Sequence, residues 1–144
     1  MKTKKILFVL AIIISALSCN RQQEKKVTQV SPTASSDKIE AYYFHFTARC
    51  TTCKTIEAKA KEFLETDYPV RFKSGLITFQ SVNLDEATSK PLAEKLGVTG
   101  QTLLLVRGDQ KINITNEGFL YAVAKPEKFN EVIRDKVELL SLEK

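Results

Sequence analysis

The sequence predicts an α/β domain built on a four-stranded mixed sheet with strand order 2-1-3-4 and helices on both faces. Two observations predict this fold class. Strand-like apolar runs first alternate with helical patterns, and such alternation requires parallel strands joined by right-handed crossovers. A tight turn at Arg107–Gln110 then joins the last two strand-like runs, so that pair should be antiparallel. The predicted element order is therefore βαβαββα.

The first strand is predicted at Ile39–Phe46, where apolar and aromatic residues are nearly continuous. Such a run is typical of a central strand that is covered on both faces. A helix should follow from about Thr51 to about Glu65, and Asp67-Tyr68-Pro69 should end it. Its apolar residues recur at helical spacing and form one stripe: Ile56, Ala60, Phe63 and Leu64.

The remaining elements follow in the order that the fold class requires. They are a second strand at Leu76–Leu84, a short helix at Ser89–Leu96 that Gly97 ends, a third strand at Leu103–Val106, a fourth at Lys111–Thr115 and a last helix at Pro126–Leu140. The last helix should turn five apolar residues inward: Phe129, Val132, Ile133, Val137 and Leu140. Phe119-Leu120-Tyr121, in the connection before it, should cap the core, with a docking patch as the alternative.

The N-terminal segment is predicted to lie outside the folded domain, which should span residues 38–144. Met1–Lys5 is basic, and Ile6–Leu17 is an apolar run of 12 residues, too short for a stable membrane span. A basic start and a short apolar run are typical of a secretory signal segment, predicted here as residues 1–18. Residues 19–37 are polar and lack periodicity, which favours a flexible tether.

Cys19 directly follows a small residue just past the apolar run, and Ser15–Cys19 resembles the lipobox of bacterial lipoproteins. The usual leucine three places before the cysteine is replaced by Ala16. The resemblance implies that Cys19 becomes the lipidated first residue of the mature chain. It also implies a lipid-anchored, periplasm-facing or otherwise extracytoplasmic protein of the bacterial cell envelope. An ordinary cleaved signal with an unmodified cysteine is the alternative.

The positive charge of the chain comes largely from the signal segment. Removal of residues 1–18 takes away Lys2, Lys4 and Lys5 and no acidic residue, so the formal net charge falls from +5 to +2. No stripe of Lys and Arg with interleaved aromatic residues is present in the sequence. The sequence therefore argues against nucleic acid as a partner.

Cys50-Thr51-Thr52-Cys53 points to chemistry, because it follows the first strand and begins the first helix. Two cysteines three positions apart at a helix start lie on one face and can form a disulfide without backbone movement. The free amide groups of the first helical turn stabilise negative charge on the first sulfur. This placement predicts a low-pKa thiolate at Cys50 and a resolving thiol at Cys53, which together suit dithiol–disulfide exchange.

Three nearby side chains are candidates to support the pair. Arg49 could add a positive charge that lowers the Cys50 pKa, or it could be a solvated loop residue. Lys54 is expected at the surface, where it would aid the thiolate. Glu57 shares a helix face with Cys53 and could accept the proton of the resolving thiol, although an exposed glutamate without that role is favoured. For the cysteines, the alternative is an inert structural bridge, but so short a loop constrains the unfolded chain little.

Three segments, in the expected order, resemble the thioredoxin family. They are Phe44–Lys54 for its strand, C-x-x-C and helix, Val82–Asp85 with Leu92–Val98 for its second crossover, and Gly100–Asp109 for the loop and hairpin beside its active site. The resemblance runs from Ile39 to about Leu140. It implies a thiol–disulfide oxidoreductase that acts on a protein disulfide or dithiol, with a second protein to recycle the pair. No organic cofactor is implied, and a monomer is expected.

The sequence departs from the thioredoxin pattern at two places. The family's cis-proline before the third strand is replaced by Gln101, and the Gly100–Gln101 peptide should be trans, because a non-proline cis bond costs about 2.5–4 kcal/mol. The family's buried acid and its tryptophan are replaced by Phe44 and Arg49. Gln101 and Thr102 should abut the sulfurs, where Gln101 could hold a partner's backbone or an oxyanion, or merely satisfy its own loop.

A narrower resemblance is carried by His45-Phe46-Thr47, Gly100–Leu104 and Ile114–Glu117. These segments are similar to a small bacterial group named as nitrophenyl-compound nitroreductase subunits, whose genes often lie with arsenic-resistance genes. This resemblance implies a subunit of a redox or arsenic-resistance system, and it establishes no reaction.

Two rival functions stay open. The two thiolates, with His45 or a partner's ligand, could bind copper, zinc or arsenite. Against this, a strand residue five positions before Cys50 normally packs below such a site, so no metal ligand is assigned. The fold could also serve as a non-catalytic docking subunit.

Overall fold

Four strands form one mixed sheet in the part of the chain that the computed structural model describes, residues 37–142. β1 (Ile39–His45) pairs in parallel with β2 (Ile77–Asn83) and antiparallel with β3 (Thr102–Arg107), and β3 pairs antiparallel with β4 (Gln110–Asn113). The spatial order β2-β1-β3-β4 confirms the predicted topology. Each strand ends within one or two residues of its predicted bounds.

Five helices surround this sheet within residues 37–142. They are α1 (Thr51–Asp67), α2 (Pro69–Lys73), α3 (Lys90–Leu96), α4 (Thr115–Tyr121) and α5 (Pro126–Leu142), with a short 3-10 turn at Ala87–Ser89 before α3. Gly97 ends α3 in a left-handed conformation, φ 73°, as predicted. The helices α2 and α4 are additions to the predicted element order.

The prediction that Asp67-Tyr68-Pro69 only ends the first helix is incomplete, since Pro69 also begins α2. Proline is favoured at the first helical position, where its missing N–H is not needed. The predicted fourth strand is too long at its end. Asn113 is the last strand residue, and its side-chain oxygen accepts hydrogen bonds from the backbone N–H and the hydroxyl of Thr115, at 3.0 and 2.6 Å. These bonds turn the chain into α4.

The two faces of β1 bury separate apolar clusters. Ile39, Ala41 and Tyr43 lie in the cluster that α1 and α5 cover, while Tyr42 and Phe44 lie in the cluster that α3 covers. Because successive strand residues point to opposite faces, the nearly continuous apolar run of β1 supplies both clusters. The predicted central strand is confirmed.

The predicted helix stripes are confirmed by burial. Ile56, Ala60, Phe63 and Leu64 are buried on α1, and Phe129, Ile133, Val137 and Leu140 on α5, with Val132 partly buried. The predicted capping role of Phe119 and Leu120 is wrong, since these side chains are 45% and 62% exposed. The helical spacing of α4 turns Gly118 and Ala122 inward instead, and Tyr121 packs only partly against the core.

The predicted signal segment at 1–18, the lipidation residue Cys19 and the tether up to residue 36 lie outside the described residues. They remain predictions from the sequence. Among residues 37–142, no helix combines the length and the apolar character that crossing a membrane would require.

Candidate functional site

The cysteine pair lies where the chain passes from β1 into α1. Cys50 occupies the N-cap position of α1 in an extended conformation, and Cys53 is in its first turn. A disulfide joins the two residues, whose Cα atoms are 5.3 Å apart. This separation is ordinary for a disulfide. The structure thus brings the two sulfurs together as the spacing predicts.

The two cysteines differ in access to solvent. Cys50 is exposed, whereas Cys53 is buried with 6% of its surface exposed. The backbone N–H of Cys53 donates a hydrogen bond to the Cys50 sulfur at 3.3 Å. In the reduced protein, this amide and the positive end of the α1 dipole would stabilise a Cys50 thiolate.

Polar groups at the end of β2 hold the loop that precedes Cys50. The backbone N–H of Thr47 donates to the Asp85 carboxylate at 2.7 Å, and the Asn83 side chain donates to the Thr47 hydroxyl at 3.0 Å. The hydrogen bonds from Thr47 hold the pKa of Asp85 below its usual value. The sequence analysis gave Asp85 no such role, and an acid directly after a strand end was the only signal.

Both ring nitrogens of His45 contact Phe46 and Ser81 rather than the cysteines. Its Nδ1 lies 2.9 Å from the carbonyl oxygen of Phe46, and its Nε2 lies 2.9 Å from the hydroxyl of Ser81. A carbonyl only accepts, so Nδ1 donates to it, and in the neutral ring Nε2 accepts from Ser81. Within residues 37–142, no three His, Cys, Asp or Glu side chains are grouped as metal ligands would be.

Arg49 and Glu57 form an ion pair beside the disulfide. Only 21% of the Arg49 side chain and 22% of the Glu57 side chain are exposed to solvent, and Arg49 Nη1 donates a hydrogen bond to Glu57 Oε2. Glu57 is therefore not the exposed glutamate that the sequence favoured. Arg49 is not a solvated loop residue, and it is not an unpaired cation beside Cys50 either. Helical spacing predicted that Glu57 lies near Cys53, but it did not predict that Glu57 pairs with Arg49, eight residues earlier.

Tyr43 is a neighbour of this ion pair that the sequence analysis missed. It is fully buried, and its hydroxyl accepts a hydrogen bond from Gln101 Nε2 at 2.6 Å. Burial raises the Tyr43 pKa, while the Gln101 bond and the charge of Arg49 oppose that rise. A buried tyrosine hydroxyl normally needs a partner, which was the available signal.

The arrangement of strands and cysteines decides the fold. A parallel crossover, a central β1, an antiparallel hairpin and a C-x-x-C at the start of the first helix occur together. The chain has a thioredoxin-like fold. Within residues 37–142 no peptide bond is cis, so the predicted trans Gly100–Gln101 bond is confirmed.

Several solved structures are similar to this thioredoxin-like domain at low identity. The thioredoxin Deadhead from Drosophila melanogaster is 20% identical, with 70% of this chain and 83% of that chain covered and a TM-score of 0.44. A thioredoxin from Trypanosoma brucei brucei is 20% identical, with 72% and 79% covered and a TM-score of 0.43. A malarial protein is 21% identical, with 51% and 74% covered and a TM-score of 0.38. No family model and no curated protein matches the chain.

The other predicted site residues lie at the same end of the thioredoxin-like sheet. Thr102 begins β3 opposite Phe44, and its hydroxyl donates to the Gly100 carbonyl at 3.0 Å, so it holds its own loop. Lys54 is exposed on α1, and its backbone N–H donates to the Cys50 carbonyl at 3.2 Å. The Gln101 amide is turned toward Tyr43 of the sheet. The supporting roles of these three residues remain predictions.

Proposed function

We propose that the chain is a thiol–disulfide oxidoreductase whose Cys50–Cys53 pair exchanges electrons with a partner protein. The observation that carries the proposal is the unequal access of the two sulfurs at the N-terminus of α1. An exposed sulfur at the N-cap can reach a partner disulfide, and a buried sulfur one turn later can resolve the product. Nothing in this chemistry requires an organic cofactor.

The exchange proceeds in two steps. The Cys50 thiolate attacks one sulfur of the partner disulfide, a Cys50–partner bond forms, and the displaced partner sulfur takes up a proton. Cys53 then loses its proton and attacks the Cys50 sulfur, which releases the second partner thiol and forms the Cys50–Cys53 bond. The partner gains two electrons and the domain loses them. A dithiol protein must reduce the pair again, and the same steps run in reverse with a partner dithiol.

Reduction of insulin by dithiothreitol in the presence of the purified full-length chain tests this proposal. We expect the chain to accelerate insulin precipitation and Cys50→Ser to abolish the acceleration. Cys19→Ser is the matched control, because it also removes one cysteine but leaves the pair intact. Equal acceleration by the Cys50→Ser variant would refute the exchange mechanism.

We also propose that the domain acts from a membrane surface, anchored by lipid on Cys19. The support is the position of Cys19 after the apolar run in the sequence. Cells supplied with labelled palmitate should label the chain, and Cys19→Ser should remove both the label and membrane association. Cys50→Ser should keep both. An unlabelled chain in the soluble fraction would contradict the anchor.

Metal binding and the nitroreductase-subunit resemblance are not favoured by any described residue. Because both His45 nitrogens are engaged, a metal site on the two thiolates would need its further ligands from elsewhere. The narrower family resemblance stays a prediction from the sequence.

A further inference from the structure

The ion pair between Arg49 and Glu57 joins a residue before the cysteine pair to a residue after it. Arg49 is the residue directly before the exposed Cys50, and Glu57 lies four residues after the buried Cys53 on α1. Residues four apart on a helix lie on one face, so the Glu57 carboxylate lies on the side of α1 that carries Cys53. The pair therefore links the loop before the first cysteine to the helix after the second.

The charges of this pair are only weakly screened by solvent. About four fifths of each side chain is buried, and charges removed from water interact more strongly than charges at the surface. Both charges act on the fully buried Tyr43, since Arg49 lowers its pKa and Glu57 raises it. Both charges are thus within electrostatic reach of the sheet end that carries the site.

We propose that the Arg49–Glu57 ion pair sets the reduction potential of the Cys50–Cys53 pair, because Glu57 holds the guanidinium that would otherwise stabilise the Cys50 thiolate. This inference rests on the proposed function, and it makes Arg49 and Glu57 positioning residues. In the reduced protein, the thiolate and the Glu57 carboxylate compete for one cation. A stabilised thiolate makes a cysteine pair more oxidising, so Glu57 keeps the pair more reducing.

Glutathione serves as the probe, and it reduces the Cys50–Cys53 disulfide in a two-electron step. The Cys50–Cys53 bond breaks, two molecules of reduced glutathione supply two electrons and two protons, and one molecule of oxidised glutathione leaves. Other ionisable groups near the site are Lys54 on α1, Tyr43 and His45 on β1, and Asp85 after β2. All four side chains are present in every variant below, so a difference between variants traces to the charges of Arg49 and Glu57.

The test equilibrates the full-length chain with mixtures of reduced and oxidised glutathione and traps the thiols by alkylation. Glu57→Gln should shift the equilibrium toward the dithiol about tenfold, equivalent to a potential about 30 mV higher. Arg49→Gln should shift it toward the disulfide, because it removes the cation and leaves Glu57 unpaired. The double variant should lie within about threefold of the wild type, since neither charge remains.

A second readout separates electrostatics from folding. The pH at which Cys50 alkylates at half of its maximal rate should fall in Glu57→Gln and rise in Arg49→Gln. A purely structural contact would not move this pH in opposite directions. The matched control is Lys61→Gln/Glu65→Gln, which removes another ion pair of α1 away from the cysteines and should change neither readout.

The outcomes distinguish this inference from the proposed function. An unchanged equilibrium in Glu57→Gln, or a shift in the same direction for both single variants, overturns the role of the ion pair even if the wild type reduces insulin. A shift toward the dithiol in Glu57→Gln together with a shift toward the disulfide in Arg49→Gln supports the role even if the wild type fails to reduce insulin, in which case the exchange function alone is lost. The reversed pair of shifts also overturns the role.

Discussion

Cys50 and Cys53 have neighbours of similar polarity in the sequence, yet the fold exposes one sulfur and covers the other. In the fully reduced chain, we expect iodoacetamide to modify Cys50 at least about tenfold faster than Cys53, because the thiolate must be both formed and reachable. Mass spectrometry of peptides from briefly alkylated protein measures the two rates. The same measurement in urea is the control, where the rates should converge. Equal rates in the native protein would remove the assigned order of attack.

Tyr42 shows a residue-scale effect of burial on titration. Burial and the neighbouring Glu40 carboxylate raise the pKa of Tyr42 to about 12. The unfolded chain releases this proton near pH 10, whereas the native chain keeps it, so the native state binds more protons between these values. The contribution of Tyr42 to stability is therefore present below pH 10 and is lost as the pH rises toward 12.

The Tyr42→Phe variant tests whether the contribution of Tyr42 to stability falls as the pH rises. Urea unfolding at pH 8, 10 and 11 should show a shallower loss of stability with pH in the variant than in the wild type. All other side chains are common to both proteins, so the comparison isolates Tyr42. A loss as steep in Tyr42→Phe as in the wild type would contradict the assignment.

At the scale of elements, Gly118 explains how α4 approaches α1. A Cβ atom at position 118 would lie 3.1 Å from Cγ2 of Ile56, which is fully buried and stiff because it is β-branched. Alanine favours a helix over glycine by about 1 kcal/mol, but overpacking costs about 1–3 kcal/mol. Gly118→Ala should therefore destabilise the protein by about 1 kcal/mol, as measured by urea unfolding.

Two further variants isolate the cause of that loss. Ile56→Leu removes the Cγ2 branch, so the double variant should be more stable than the sum of the single changes predicts, by about 0.5–1 kcal/mol. Gly100→Ala is the control, because a Cβ there meets no atom within 4 Å, and its effect should stay within about 0.5 kcal/mol. Additive single effects would show that Ile56 is not the contact that matters.

The elements that the sequence predicted are those with a strong period of their own. The α1 and α5 stripes and the two-sided β1 follow from spacing within one segment. The helix α4 was missed because a glycine in its middle weakens the helical pattern. It forms because Gly118 packs against α1, and the sequence of α4 alone does not reveal that contact.

For the whole molecule, the fold should not depend on the disulfide. The bridge closes a loop of four residues, which limits its stabilisation to at most about 2 kcal/mol. Neither cysteine belongs to the apolar clusters on the two faces of β1, so these clusters should remain when the sulfurs separate. We expect the reduced chain to stay folded and to lose no more than about 2 kcal/mol in urea unfolding with and without a phosphine reductant. A reduced chain that unfolds would make the bridge structural rather than catalytic.

The sequence by itself determined the strand order, the two-faced central strand, the main helices and the position of the cysteines at a helix start. These features depend on periodicity and on neighbours along the chain, and both can be read from a single segment. The tertiary structure alone decided the environment of the sulfurs. It joined Arg49 to Glu57, Tyr43 to Gln101 and Thr47 to Asp85 across 8, 58 and 38 positions. The first contact depends on how the loop before α1 folds back onto that helix, and the other two form only when the sheet brings its strand ends together. No pattern within one segment encodes any of them.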